Sequence, residues 1–167
     1  SRGLNLDKIS VLAGHSLGEY SAFCASSVFS LSDTAKILRK RGLAMQKAVP
    51  LGKGAMAAIL GLTASNVSAL LKQGGFDRKK VQIANDNDPS QVVISGERRG
   101  VEKFTEFLKA NGARKALPLP VSAPFHSYLM SPAAIEMESA LDEIVFSNPK
   151  IPIILNVNLQ TLHSIEG

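Results

Sequence analysis

The chain has 167 residues, 45% of them hydrophobic and 20% charged, which is typical of a globular protein with one good-sized core or two small ones. No apolar run reaches the roughly 18 residues of a membrane span, no signal peptide is visible, and the lone Cys24 excludes a disulfide framework and a cysteine zinc site, so we expect a soluble cytoplasmic protein. The net charge of +5 comes from scattered basic residues without interleaved aromatics, which disfavours nucleic-acid binding and fits an acidic partner or a phosphate-bearing substrate better.

The first predicted strand, Ile9–Ala13, runs directly into Gly14-His15-Ser16-Leu17-Gly18 and then into a helix predicted over Leu17–Ala25. A buried strand followed by G-x-S-x-G and a helix is the sequence form of a nucleophile elbow. We expect both glycines to remove β-carbons that would clash in so sharp a turn. The free N–H groups of the helix would face the serine oxygen and any oxyanion beside it. Ser16 is therefore a candidate acyl-carrying nucleophile; the alternative is an ordinary strand-to-helix turn.

A second helix is predicted over Leu31–Val49, and Arg41 shares one face of it with Leu38, Met45 and Ala48. A guanidinium on a buried face requires an anion. It could be a boundary arginine paired with a carboxylate of the protein, or a bidentate clamp for the carboxylate of a substrate. Helical periodicity does not distinguish the two.

Residues 54–120 show a different pattern, which predicts a ferredoxin-like βαββαβ subdomain inserted into a larger one. The predicted elements are a strand over Gly54–Leu60, a helix capped by Thr63 and running to Lys72, a strand over Val81–Ala84, a turn cluster over Asn85–Ser90, a strand over Gln91–Ser95, a helix over Arg99–Ala110 and a strand over Ala113–Leu119.

The flanking residues, 1–53 and 121–167, are predicted to form a large α/β subdomain. They add a helix over about Pro132–Ile144 and a second parallel-type strand over Ile151–Asn156. Two strands do not make a doubly covered parallel sheet, which usually needs four or more. We therefore expect this part to be incomplete, as the middle of a larger α/β domain.

Three histidines could supply the base that a serine nucleophile needs. The side chain of His15 should point away from Ser16 on a tight turn, and His163 lies in no obvious motif. His126 follows the inserted subdomain, where the returning chain forms one wall of a cleft. Taken alone it is more often a satisfied loop histidine, but together with an elbow serine it becomes the candidate base.

The order and spacing of these motifs resemble the malonyl-CoA:acyl carrier protein transacylase family over essentially the whole chain. The segments that carry the resemblance are Gly14–Ala22, Arg41-Gly42 with Met45-Gln46, Gly54–Ala58, Gln91–Gly96, and Leu117–Ser122 before His126. Acyltransferase domains of polyketide and fatty acid synthases are looser relatives. The resemblance implies an α/β-hydrolase-like core with a ferredoxin-like insert.

The resemblance also implies a two-step transfer in fatty acid biosynthesis. Ser16 would attack malonyl-CoA with His126 as general base, and the malonyl ester would then pass to the phosphopantetheine thiol of acyl carrier protein. The N–H of Leu17 would be one oxyanion donor, Arg41 would hold the malonyl carboxylate, and Asn85 would lie near the mouth of the site. Neither a cofactor nor a metal is implied, since malonyl-CoA is a substrate, and we expect a monomer.

In related acyltransferase domains, a phenylalanine directly before the histidine goes with malonyl selectivity and a serine often goes with methylmalonyl. The resemblance therefore implies that Phe125 favours malonyl, because an aromatic ring crowds the space beside the α-carbon of the substrate. Two elements of the family fall outside the 167 residues: the Gly-Gln-Gly segment that supplies a second oxyanion donor, and the late segment that orients the histidine. Loss of one oxyanion donor typically costs about 10²–10³ in rate, so we expect this chain alone to be weak or inactive.

Two other functions remain open from the sequence. A patatin-like serine acyl hydrolase would use a Ser-Asp dyad with the aspartate in an Asp-Gly or Asp-Ala pair, and the chain contains neither pair. A non-catalytic piece that only binds carrier protein would need no reactive serine. Origin from a multidomain synthase is a third possibility, which the close match to stand-alone enzymes disfavours.

Overall fold

Five α-helices and two β-sheets make up the part of the chain that the structure, a computed structural model, describes, residues 8–165. In chain order the elements are β1 (Leu12–Ala13), α1 (Leu17–Ala25), α2 (Leu31–Lys47), β2 (Gly54–Leu60), α3 (Ala64–Gln73), β3 (Val81–Asp88), β4 (Gln91–Glu97), α4 (Arg98–Ala110), β5 (Lys115–Pro118), a 3-10 helix (Tyr128–Met130), α5 (Ser131–Asp142), β6 (Ile153–Ile154) and β7 (Thr161–Leu162). No helix in this part has the length and apolar character to cross a membrane. The fold is mixed α/β, as the sequence predicts.

The chain divides into two compact units. Among the described residues, the first contains residues 8–42 and 137–165, and the second contains residues 43–136. The segment with the βαββαβ order, from Gly54 to Pro118, lies inside the second unit. The first unit contains β1, α1, β6 and β7.

A three-stranded sheet in the order β1-β6-β7 forms part of the first unit. Strands β1 and β6 are parallel, with Ala13 opposite Ile154, whereas β6 and β7 are antiparallel. The expected parallel sheet is therefore mixed. The reason is a chain reversal after β6, in which the N–H of Leu155 donates to the carbonyl of Gln160 at 2.9 Å and returns the chain alongside β6.

Both parallel strands are shorter than predicted, and only the last two residues of the predicted Ile9–Ala13 are paired. Before β6, the backbone of Ile151 bonds to a side chain instead of a strand: its N–H donates to the buried Ser26 Oγ at 2.9 Å, and its carbonyl accepts from the same oxygen at 2.6 Å. These bonds hold the start of β6 beside the end of α1. The core here consists of Ala22, Val28, Phe29 and Ile153.

The second unit contains a four-stranded sheet in the order β3-β4-β2-β5, in which every neighbouring pair is antiparallel. Helices α3 and α4 pack on it around a shared core. Thr63 caps α3 through a reciprocal capping box with Asn66, which confirms the predicted start of that helix. The most deeply buried side chains of this core are Ile59, Val67, Val92, Ile94, Phe104 and Leu108.

Strand β3 extends four residues beyond its predicted end at Ala84, so the predicted turn cluster Asn85–Ser90 is wrong except for Pro89-Ser90. The polar residues remain paired with β4 through two register shifts, and β3 is an edge strand on which exposed polar side chains are tolerated. The hairpin is closed by the hydroxyl and N–H of Ser90, which bond to Asp88 and lower the pKa of that carboxyl.

Candidate active site

The turn between β1 and α1, residues 14–18, is called the elbow here. Ser16 has φ 54° and ψ −108°, a conformation that residues with a β-carbon rarely adopt. Holding a residue there costs about 1–3 kcal/mol and persists only when surrounding contacts enforce it. Helix α1 begins at the next residue, Leu17, as predicted, and its first N–H groups point toward the elbow. The local geometry is that of a strained serine presented at a helix N-terminus.

The two glycines of the elbow are not equivalent. A β-carbon on Gly14 would overlap the backbone carbonyl of Gly18, which is fixed in the first turn of α1. A β-carbon on Gly18 would meet nothing within 4 Å. The expectation that steric crowding requires both glycines is therefore right for Gly14 and wrong for Gly18. The reason is that the Cα of Gly14 faces the backbone of α1, whereas the Cα of Gly18 faces open space.

This asymmetry gives a matched pair of variants. Gly14→Ala should lower the free energy of unfolding by about 3 kcal/mol or more, because neither backbone can move without opening the elbow. Gly18→Ala should be neutral or stabilising by up to about 1 kcal/mol, since alanine favours a helix. Urea unfolding of both variants measures the difference. Equal losses of stability would contradict the assigned close contact.

The hydroxyl of Ser16 does not cap helix α1. The spacing from Ser16 to Glu19 fits a capping box, yet the Ser16 side chain makes no capping hydrogen bond. Its oxygen instead accepts a hydrogen bond from Arg41 Nη2 at 3.0 Å. The elbow therefore directs the hydroxyl toward a guanidinium 25 residues further along the chain.

Arg41 lies on helix α2 in line with the buried residues Thr34, Ile37 and Ala44, and is itself half-buried. Its guanidinium carbon is 5.7 Å from the centre of the Tyr20 ring, a distance at which a cation is attracted to the ring face. Among residues 8–165, no carboxylate forms an ion pair with Arg41. The helical face predicted for Arg41 is confirmed, and within the described chain the cation is held by a ring and a hydroxyl rather than by a carboxylate.

Asn156 also contacts the elbow, although it lies outside every motif of the sequence described above. Its side-chain Nδ2 donates to the carbonyl of Gly14 at 2.6 Å, and its Oδ1 accepts from the N–H of Ser16 at 3.0 Å. Its own N–H donates to Glu19 Oε1 at 2.8 Å. In α/β sheets, functional sites lie at the carboxyl ends of parallel strands. The position of a polar residue at the end of the predicted strand is the sequence signal that could have identified Asn156.

In the second unit, His126 lies in the loop before the 3-10 helix, exposed and with φ 55°. The side chain of Gln82 on β3 holds this loop: its Nε2 donates to the carbonyl of His126 at 3.5 Å, and its Oε1 accepts from the N–H of Tyr128 at 2.9 Å. The buried Ser127 Oγ donates to the carbonyl of Pro124 at 2.7 Å. His126 thus lies on a loop that is held by hydrogen bonds to strand β3 and by a hydrogen bond within the loop.

The two remaining predicted site residues also lie in the second unit. Phe125 is half-buried and packs on a small apolar cluster that includes Val49, Ala123 and Met130. Asn85 lies on β3 opposite Val93, at the first of the two register shifts, and is half-buried. Among the described residues, no group of three or more His, Cys, Asp or Glu side chains is arranged to hold a metal ion.

The structure therefore brings Ser16, Leu17 and Arg41 together in the first unit, and carries Phe125 and His126 on one loop of the second. A family model described as an acyl transferase domain matches residues 2–165. The chain belongs to the acyl transferase domain family. Within this family it is similar to malonyl CoA-acyl carrier protein transacylases, which confirms the resemblance carried by the motifs.

The malonyl CoA-acyl carrier protein transacylase of Bacillus subtilis (strain 168) is 47% identical over 150 residues, covering 90% of this chain and 47% of that protein. A crystal structure of an acyl-carrier-protein S-malonyltransferase from Bartonella henselae superposes with a TM-score of 0.88 at 49% identity, over 95% of this chain and 51% of that one. A malonyl-transacylase in complex with a type II PKS acyl-carrier protein gives 0.86 at 41% identity, over 93% and 50%. The chain spans about half the length of the curated relatives it matches.

Proposed function

We propose that the protein is a malonyl-CoA:acyl carrier protein S-malonyltransferase of fatty acid biosynthesis, which moves a malonyl group through an ester on Ser16. The observation that carries this proposal is the contact between Arg41 and the oxygen of the strained elbow serine. A strained serine supports acyl transfer in general, and a cation beside it supports an acyl group that bears a negative charge. The names of the similar proteins support the same substrate and acceptor.

Arg41 is proposed to select the malonyl group. In a malonyl ester only the carbonyl carbon and one methylene separate the serine oxygen from the free carboxylate, so a guanidinium that reaches Ser16 Oγ also reaches that carboxylate. Arginine forms two parallel, charge-assisted hydrogen bonds with a carboxylate, a geometry that lysine does not reproduce. The half-buried position of Arg41 strengthens such a pair relative to one in bulk water.

The proposed chemistry follows the order implied by the family. Ser16 Oγ attacks the thioester carbonyl carbon of malonyl-CoA while His126 accepts its proton. The N–H of Leu17 stabilises the oxyanion, the carbon–sulfur bond breaks, and His126 returns the proton to the departing coenzyme A thiol. The phosphopantetheine thiol of acyl carrier protein then attacks the ester, with its proton passing through His126 to Ser16. The reaction needs neither a cofactor nor a metal.

The same proposal includes the division into two subdomains, the roles of Phe125 and Asn85, and the location and oligomeric state of the protein. The strand order β3-β4-β2-β5 with two helices supports a ferredoxin-like insert over 54–120, with 1–53 and 121–167 in the α/β-hydrolase-like part. Phe125 is proposed to narrow the substrate range to malonyl, and Asn85 to lie at the mouth of the site. The protein is proposed to be a cytoplasmic monomer.

The test is to mix the full-length protein with malonyl-CoA and phosphopantetheinylated acyl carrier protein and to measure the mass of the carrier. One malonyl group should be added per carrier, and acetyl-CoA should be a much poorer donor. Release of free malonate without transfer would favour the acyl hydrolase alternative. Carrier binding without any change in its mass would favour the non-catalytic alternative.

A further inference from the structure

The side chain of Asn156 replaces one rung of the parallel β1–β6 ladder. In this ladder the N–H of Leu12 donates to the carbonyl of Pro152 at 2.8 Å, with Leu12 opposite Ile153. Continuing the ladder by two residues would bond the N–H of Gly14 to the carbonyl of Ile154, and then the backbone N–H of Asn156 to the carbonyl of Gly14. Asn156 Nδ2 makes that bond instead, at 2.6 Å. The side-chain amide therefore continues the ladder where the backbone of β6 has already turned away.

The side-chain amide of Asn156 also bonds to the backbone of Ser16 itself. Asn156 Oδ1 accepts from the N–H of Ser16 at 3.0 Å, so one planar group bonds the carbonyl before His15 and the N–H after it. The second of these peptide groups directly precedes Ser16. The carbonyl that follows Ser16 accepts from the N–H of Glu19 at 3.1 Å, so Asn156 and the first turn of α1 together hold the two peptide groups that set the backbone of Ser16. A rigid two-point contact of this kind can enforce a conformation that serine would otherwise leave.

Glu19 holds Asn156 in place. Glutamate three residues after an N-cap usually bonds back to the N-cap N–H, which here is the N–H of Ser16. Because that N–H is already bonded to Asn156 Oδ1, the Glu19 carboxylate accepts instead from the backbone N–H of Asn156 at 2.8 Å. The three residues form a closed hydrogen-bonded circuit linking the elbow, the turn after β6 and the first turn of α1.

We propose that Asn156, held by Glu19, is the positioning residue that maintains the strained backbone of Ser16 and so keeps its oxygen aligned for acyl transfer. This inference rests on the proposed function of Ser16. Removing the amide should let the elbow relax and move the hydroxyl away from the direction in which it meets Arg41. A displacement of about 1 Å at a reacting atom can lower a rate about 10²-fold.

The experiment compares five variants of the full-length protein: Asn156→Ala, Asn156→Asp, Glu19→Ala, Glu19→Gln and Asn158→Ala. Asn156→Asp keeps the size and the acceptor but places an oxygen against the carbonyl of Gly14. Glu19→Gln keeps an acceptor for the N–H of Asn156. Asn158, in the same turn, bonds only to Gln160 among the described residues and is the matched control. Rapid mixing with malonyl-CoA measures the rate of coenzyme A release in the first turnover. Repeating it over a range of malonyl-CoA concentrations gives the concentration at which this rate is half-maximal.

We expect Asn156→Ala and Asn156→Asp to lower the first-turnover rate roughly 10- to 100-fold, with a change of less than about threefold in the half-saturating concentration. A contact that mattered only for folding would not separate these two quantities in protein that remains folded. Glu19→Ala should show a smaller loss in the same direction, which Glu19→Gln should restore. Asn158→Ala should match the wild type.

The inference is overturned if folded Asn156 variants release coenzyme A within twofold of the wild-type rate, or if Asn158→Ala loses as much as they do. If Asn156→Ala does not fold, Asn156→Asp and the Glu19 pair give the answer. A wild-type protein that forms no acyl-serine would overturn the proposed function and this inference with it, whereas normal wild-type acylation with unaffected variants would overturn this inference alone.

Discussion

Replacing Ser16 with alanine is expected to remove the malonyl adduct and to lower the transfer rate by roughly 10⁴- to 10⁶-fold, because no other group supplies the covalent intermediate. The fold should tolerate the change. The hydroxyl makes no helix cap, and the loss of its bond from the charged Arg41 should cost at most about 1.5–3 kcal/mol in the free energy of unfolding. Steady-state transfer and urea unfolding of the same preparation measure both effects.

The matched control for this variant is Ser27→Ala. Ser27 is an exposed serine just beyond α1, and its φ of 64° is close to that of Ser16. Its replacement should leave transfer unchanged, which would separate the chemistry of the hydroxyl from the effect of alanine on a left-handed backbone. Transfer by Ser16→Ala within tenfold of the wild type would rule out an acyl-serine at this position.

Replacing Arg41 with alanine is expected to lower kcat/KM for malonyl-CoA by roughly 10²-fold or more, the value of two charge-assisted hydrogen bonds to a carboxylate. The slow use of acetyl-CoA should fall much less, because acetyl has no carboxylate to bind. Arg41→Lys should recover little of the loss, since an ammonium cannot form the planar bidentate pair. Competition between malonyl-CoA and acetyl-CoA measures this selectivity directly.

Arg39→Ala is the control for Arg41, because Arg39 lies on the same helix with its side chain exposed. It should leave the selectivity between the two donors unchanged. Equal losses with both donors in Arg41→Ala would show that Arg41 supports the elbow serine generally and does not bind the malonyl carboxylate.

Local signals predicted the elements whose boundaries are set by neighbouring residues. Helix α1 and strand β2 have their predicted bounds, and Thr63 caps α3 as predicted, since each depends on a motif of a few consecutive residues. The buried face of Arg41 followed from helical periodicity. In each case the residues that decide the structure lie within about two helical turns of one another.

Contacts between distant residues could not be predicted in the same way. Strand β3 runs on through Asp88 because β4 supplies a ladder for residues whose own preference is for turns. The antiparallel pairing of β7 with β6 depends on a chain reversal that no single residue type predicts. Asn156 bonds to Ser16 across 140 positions, so its role became visible only when β1 and β6 were seen side by side.

The most direct test of the central claim is to incubate the wild-type protein with malonyl-CoA, digest it and locate the added mass by peptide sequencing in the mass spectrometer. One malonyl group per chain is expected, on the peptide that contains Ser16. An unmodified but folded full-length protein, or a malonyl group found on a different residue, would contradict it.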